Sequence, residues 1–170
     1  MIWKLPLPEE CKIFNWFCYN NRVLTWDVLN KKGMKSPSKC SLCGSHSETS
    51  DHLFVSCLFT KKIWSHLLPH TPILDEVQEF WHLGRQRHVD KKFLKASDTL
   101  IAIALWCIWV ECDYRTFRCE ALCQTTVVKK IIFLFNDLDK ELQRRIVCQP
   151  SLQAYLFFGI RPSLHLNWCI

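Results

Sequence analysis

Three cysteines and a histidine fall within eighteen residues: Cys40-Ser41-Leu42-Cys43, then His52, then Cys57. Written as spacing this is Cys-x2-Cys-x8-His-x4-Cys, a donor set that suits tetrahedral zinc, with thiolates and imidazole filling all four positions. A tight Cys-x2-Cys turn lets two sulfurs converge from one loop, and Gly44 just after it can take the positive φ such a knuckle often needs. With every position filled by protein, no place is left for a reactive water, so the expected metal is structural: one Zn2+ per chain held by Cys40, Cys43, His52 and Cys57. His46 is a rival ligand ranked behind His52. The competing reading is a metal-free knuckle whose cysteines pack as small hydrophobes.

The elements that must position these ligands can be read from periodicity and punctuation. A first helix is expected from Glu9 to about Asn20, with Ile13, Phe14, Trp16 and Phe17 as its apolar residues, broken at Asn20-Asn21. Thr25 is the expected N-cap of a short second helix, with Asp27 in its first turn and Gly33 as its stop. His52 and Cys57 are five residues apart, about 140° around a regular helix. They therefore cannot point the same way from one. His52 is expected in the first turn of a helix that starts near Thr49 or Ser50, with a local adjustment around Cys57. A further helix from Thr60 to Leu68 should cover the knuckle with Ile63, Trp64, Leu67 and Leu68, Trp64 serving as a core anchor.

Pro69 and Pro72 end this module. Residues 69–96 read as a connector, acidic at Asp75, Glu76 and Glu79, then basic at Arg85, Arg87, Lys91, Lys92 and Lys95, a charge run read as a solvated face. Thr99 to Val110 is uncharged for twelve residues, too short to span a bilayer, and is expected as a buried helix that reaches about Leu122. Cys112, Cys119 and Cys123 near one face are expected as buried thiols. An amphipathic helix from Thr126 to about Val147 would pair with the first as an antiparallel hairpin. The expected fold is mainly α: a small zinc-knuckle helical module (1–68), a connector (69–96), a long-helix hairpin (97–148) and a C-terminal tail (149–170).

The chain has 170 residues, eleven cysteines and a net charge of +6. Half of it is apolar, enough for a core and against a disordered chain. No basic-apolar-small order of a secretory signal opens it, so the expected compartment is intracellular and reducing, nucleus or cytoplasm alike. There the cysteines serve metal and core, not a disulfide framework. Glycine-rich phosphate loops, Gly-x-Ser-x-Gly, His-Glu-x2-His and a paired-aspartate polymerase motif are all missing, which sets aside the enzymes built on them.

The run Phe14-Asn15-Trp16, Arg22 to Leu29, Lys32-Gly33-Met34, Cys40-x2-Cys43-Gly44, Glu48-Thr49-x2-His52-Leu53-Phe54-x2-Cys57 and Ile63-Trp64 resembles the zinc-binding domain that follows the reverse transcriptase in plant LINE-type (non-LTR) retrotransposons. The resemblance covers about residues 10 to 68. Leu105-Trp106-x2-Trp109-x-Glu111 and Arg115-x-Phe117 resemble the helix that trails this domain in the same elements. There Arg-Asn usually follows the glutamate; here Cys112 and Asp113 stand in those places. The resemblance implies a non-catalytic piece of a retroelement polyprotein, or a gene derived from one.

Two functions from different classes follow. In the first, Lys31, Lys32, Lys35 and Lys39, directly before the knuckle, hold phosphates of single-stranded RNA or DNA while aromatic residues stack on bases. In the second, zinc only staples the fold, and the helices of residues 97–147 meet a reverse transcriptase or another protein. Neither involves a membrane.

Overall fold

The structure, a computed structural model, describes residues 2–35, 38–70, 72, 74–83 and 91–138. Outside it lie Arg85, Arg87 and His88 of the connector, the expected helix beyond Leu138 and the 149–170 tail. The described chain is helical: α1 (Glu9–Tyr19), α2 (Trp26–Lys31), α3 (Leu58–Leu67), α4 (Lys91–Phe117) and α5 (Gln124–Leu138). Short 3-10 segments occupy Ile2–Lys4 and Val77–His82, and a single π turn occupies His52–Ser56. Among the described residues no strand forms; one isolated antiparallel bridge joins Lys39 and Ser47 across the knuckle.

The first two helices end where the punctuation puts them. At α1 the Arg22 N–H reaches Phe17 O (2.8 Å) and Asn21 N–H reaches Cys18 O (3.0 Å), with Asn21 at φ 51°. At α2, Met34 N–H bonds Leu29 O (3.1 Å) and Gly33 N–H bonds Asn30 O (3.0 Å), with Gly33 at φ 85°. Both are Schellman closures, which need a left-handed residue just past the helix.

The buried stripe of α1 differs from the expected one. Cys11, Phe14, Asn15 and Cys18 face the core, while Ile13 and Phe17 are exposed. Those four follow the 11, 14, 15, 18 rhythm of a packed helix face. The stripe was hidden because a thiol and an amide occupy positions where aliphatic residues are usual. Asn15 donates through Nδ2 to Cys11 O (2.8 Å) and across to Ala102 O of α4 (3.1 Å). The small side chains Ala102 and Ala104, both fully buried, permit such close packing.

α4 is the central helix. Ile101 through Leu105 and Ile108 are all buried, an all-round apolar surface that only a helix covered on several sides can carry. It lies against α1 on one side and α5 on another, and α5 also packs on α3. Among the described residues the helix already runs from Lys91, earlier than expected, because Phe93, Leu94 and Ala96 extend its apolar character past Lys95 and Asp98. The segment Phe93–Phe117 is thus long and apolar enough, by length and composition alone, to cross a membrane, but 56 % of its apolar 18-residue stretch is buried within the protein. It ends at Phe117 and not near Leu122, where Cys119 takes φ 55° and turns the chain. Consequently Cys119 and Cys123 are exposed, and only Cys112 of the three expected buried thiols is covered.

The segments outside the helices are also anchored. Ile2, Leu5 and Leu7 of the lead-in arm are buried, as are Val77, Phe80 and Trp81 of the connector. Phe80 stacks on Trp64 at 4.3 Å between ring centroids, and Asp51 Oδ1 accepts the Val77 N–H at 3.0 Å. Phe14 meets Phe54, Trp106 and Trp109 with centroids 6.1, 5.2 and 5.8 Å away. This aromatic cluster joins α1, the π turn and α4 in one continuous core.

Candidate metal centre

Cys40, Cys43, His52 and Cys57 converge so that their four ligand atoms all lie within 4.8 Å of one another. For a tetrahedral zinc with ordinary Zn–S and Zn–N lengths, the edges of the tetrahedron should be about 3.8 Å between sulfurs and about 3.5 Å between sulfur and nitrogen. The observed Cys40 Sγ to Cys57 Sγ separation is 3.9 Å, and Cys43 Sγ to His52 Nε2 is 3.4 Å. The donor set therefore fits one structural zinc in both chemistry and edge length. His46, the rival, is exposed and stands outside the cluster, its ring 5.2 Å from that of His52.

The knuckle is held by backbone bonds. Cys40 N–H donates to His46 O (2.8 Å), Gly44 N–H to Cys40 O (2.8 Å) and Glu48 N–H to Ser38 O (2.9 Å). Gly44 adopts φ 68°, and a Cβ there would touch nothing within 4 Å. Glycine is thus favoured at this position by backbone conformation and not by crowding.

The adjustment needed between His52 and Cys57 is the π turn. Thr49 Oγ1 accepts the His52 N–H at 3.1 Å and opens the turn, and Cys57 N–H bonds His52 O at 2.8 Å, the i→i+5 pattern. The wider turn brings residues five apart onto one side. Cys57 then leaves helical geometry (φ −59°, ψ 134°) and caps α3. This break strands the carbonyls of Leu53 and Phe54. Thr60 Oγ1 donates to Leu53 O and Trp64 Nε1 donates to Phe54 O, each at 2.7 Å. Trp64 is thus a core anchor with a second task, which its place in an apolar stripe did not reveal.

The electrostatics suit a metal. The Cys40 thiol donates to Cys57, which pulls Cys57 down to about 5, helped by the N–H groups of Thr60 and Phe59, and pushes Cys40 up. The pair shares one proton that zinc would displace. Burial holds the His52 imidazole below its ordinary range, in the neutral form that ligates. Its other nitrogen, Nδ1, lies 3.3 Å from Ser56 Oγ, a partner that orients the ring for ligation through Nε2. By contrast, burial pushes the Cys11, Cys107 and Cys112 thiols up to about 12, as expected of packing cysteines.

Glu48, which is outside the expected ligand set, ties the knuckle to two helices. Its carboxylate, only 3 % exposed, accepts from Trp26 N–H (3.3 Å), Ser41 N–H (3.5 Å) and the Cys112 thiol (3.6 Å). Its backbone carbonyl accepts the Asp27 N–H at 3.3 Å. Glu48 thereby caps α2, while Thr25, at the N-cap position, donates its hydroxyl to Asp27 Oδ1 at 2.6 Å instead. Burial raises the Glu48 carboxyl above its ordinary range. Glu48→Ala leaves two half-buried N–H donors unpaired, each costing at most about 1–3 kcal/mol. Urea unfolding of the zinc-loaded protein should therefore show a loss of about 2–4 kcal/mol. A loss under about 0.5 kcal/mol, the range of inert surface changes, would contradict this role.

The four lysines before the knuckle are all exposed. Lys31 pairs with Asp27 at 3.6 Å, and it is the only one of the four with an ion pair among the described residues. Lys39 takes part in the bridge to Ser47.

Fold and site together define a helical module built around one Cys3His zinc centre. Residues 1–64 match the family profile described as zinc-binding in reverse transcriptase. A putative ribonuclease H protein of Arabidopsis thaliana is similar, 26 % identical over 68 residues, which are 40 % of this chain and 11 % of that protein. The chain therefore matches about a tenth of the length of that relative. No solved structure matches the chain.

Proposed function

We propose that the chain is a non-catalytic, zinc-stapled module of retrotransposon descent that binds single-stranded nucleic acid weakly and without sequence preference. The observation that carries this is the run of four exposed lysines leading straight into a metal knuckle, three of them without a carboxylate partner among the described residues. Three thiolates and a neutral imidazole leave a zinc site with about one net negative charge, so the knuckle itself repels phosphate. Attraction has to come from Lys31, Lys32, Lys35 and Lys39, with Lys61 and Lys62 close in sequence to Cys57. The zinc holds the segment that presents them.

If three or four of those lysines meet phosphates, log affinity falls against log salt with a slope of about −2 to −3 for a single strand. Titrating a fluorescent oligonucleotide at several salt concentrations measures it. Changing all four lysines to Gln should flatten the slope and leave zinc bound. No binding at low salt, or binding indifferent to the four changes, would remove the nucleic-acid reading. The second reading, a protein-interaction module, is favoured by large apolar side chains left exposed: Leu58 at 65 % and Phe117 at 71 %.

A further inference from the structure

The two residues between the first zinc cysteines, Ser41 and Leu42, are both gripped by the last turns of α4, some seventy positions away in sequence. Ser41 Oγ donates to Cys112 O (3.3 Å) and lies 3.1 Å from Cys112 Sγ. Leu42 O accepts from Arg115 Nη1 at 3.0 Å. The same guanidinium donates through Nε to Glu111 Oε1 (2.7 Å) and through Nη2 to Leu122 O (2.7 Å), and it lies 4.4 Å above the Phe59 ring. Glu111 Oε1 also accepts the Leu122 N–H at 2.8 Å. The Glu111 side chain is 2 % exposed and that of Arg115 17 %, so this fork is set inside the protein and not waving on its surface.

The Leu42–Cys43 peptide is where the fork meets the metal. Its carbonyl end takes the Arg115 Nη1 donor at 3.0 Å, and its N–H end belongs to the metal ligand Cys43. A cation bonded to one end of a peptide polarises it and strengthens the donor at the other end. A peptide pinned in this way has a fixed orientation, so the Cys43 ligand is delivered to the cluster from a fixed backbone. Outer partners of this kind commonly change metal affinity by about 10–100-fold.

We infer that Arg115 is a positioning residue of the zinc site: the centre is completed from α4, through the Leu42–Cys43 peptide, and does not end with the 1–64 segment. This rests on the zinc reading of the knuckle. It also makes zinc binding and the seating of the 118–123 link reciprocal, since one guanidinium holds both.

The full-length chain tests it, with Arg115→Gln, Arg115→Lys and, as a packing control on the buried face of α5, Ile131→Val. Zinc affinity is read by competition with a chromogenic chelator, and the sulfur environment by the thiolate-to-metal charge-transfer band after cobalt substitution. Arg115→Gln should bind zinc about tenfold or more weakly and move the band from its wild-type position. Arg115→Lys, which keeps the charge but not the fork, should recover part of both changes. Ile131→Val should leave the band in place and the affinity within about twofold.

Both signs are required. Wild-type affinity in Arg115→Gln, an equal loss in Ile131→Val, or an unmoved band each overturns the assignment. If Arg115→Gln fails to fold, Arg115→Lys decides alone: an intermediate loss with a band shift supports it, and wild-type values overturn it. A wild-type chain that takes one zinc while the Arg115 variants match it sinks only this inference. A wild-type chain that takes no zinc sinks the zinc reading with it.

Discussion

Removing the zinc, by chelation or by Cys40→Ser, is expected to unfold residues 10–68 and to produce the largest change in stability available to this chain. Cys40 and Cys57 are completely buried, with Leu42, Leu53, Phe54 and Val55 packed beside them. Without the ion, two sulfurs 3.9 Å apart keep only a weak thiol hydrogen bond in place of two metal bonds. Binding of structural zinc in small domains is worth about 10 kcal/mol or more at neutral pH, and because the site does not persist in the unfolded chain, that is folding free energy. Elemental analysis should give one zinc per wild-type chain and none for Cys40→Ser, with loss of helical circular dichroism. Cys119→Ser, at an exposed position, should keep the metal. Full zinc occupancy in a Cys40→Ser, Cys43→Ser double variant would dismiss the assignment.

Trp64→Ala should have the next largest effect, a loss of about 3–5 kcal/mol from an aromatic cavity. The ring does two things at once. It stacks on Phe80 at 4.3 Å, and its Nε1 holds the Phe54 carbonyl that the π turn leaves without a helical partner. Trp64→Phe separates the two: most of the packing survives, and the unpaired carbonyl costs about 1–3 kcal/mol. Because Phe54 lies between the ligands His52 and Cys57, both variants should also weaken zinc, Trp64→Ala more. Denaturant unfolding of the loaded protein measures the stability change. A cost for Trp64→Ala below about 1 kcal/mol would mean that the π turn needs no such support.

The metal set was legible in sequence because ligand chemistry is local: type and spacing within eighteen residues select a tetrahedral site. The stops at Asn21 and Gly33 were legible for the same reason, being left-handed positions read from single residues. Even the mismatch of a five-residue step with a helical turn announced that the backbone must change between His52 and Cys57. What stayed hidden depends on partners far along the chain. Glu48 gains its role from Cys112, and Arg115 from Leu42, separations of 64 and 73 residues. The face of α1 was misread because Cys11, Asn15 and Cys18 bury there in place of Ile13 and Phe17. The end of α4 was misplaced because Cys119, and not glycine, adopts the left-handed conformation. Nothing in a cysteine announces that turn.

The wide sequence gap between the knuckle and its α4 support has a consequence for how the protein is made. Chains emerge from the ribosome at about 5–20 residues per second. All four zinc ligands are synthesised by residue 57, but Arg115 follows roughly sixty residues later, an interval of about 3–12 s at those speeds. During that interval a nascent knuckle has its metal ligands and lacks the guanidinium that braces Leu42. Zinc captured then sits in the weaker form of the site and is open to exchange with cellular chelators. It becomes securely held only when α4 folds back over it. A ribosome stalled between these two points would therefore display a metal centre that loads readily and unloads just as readily.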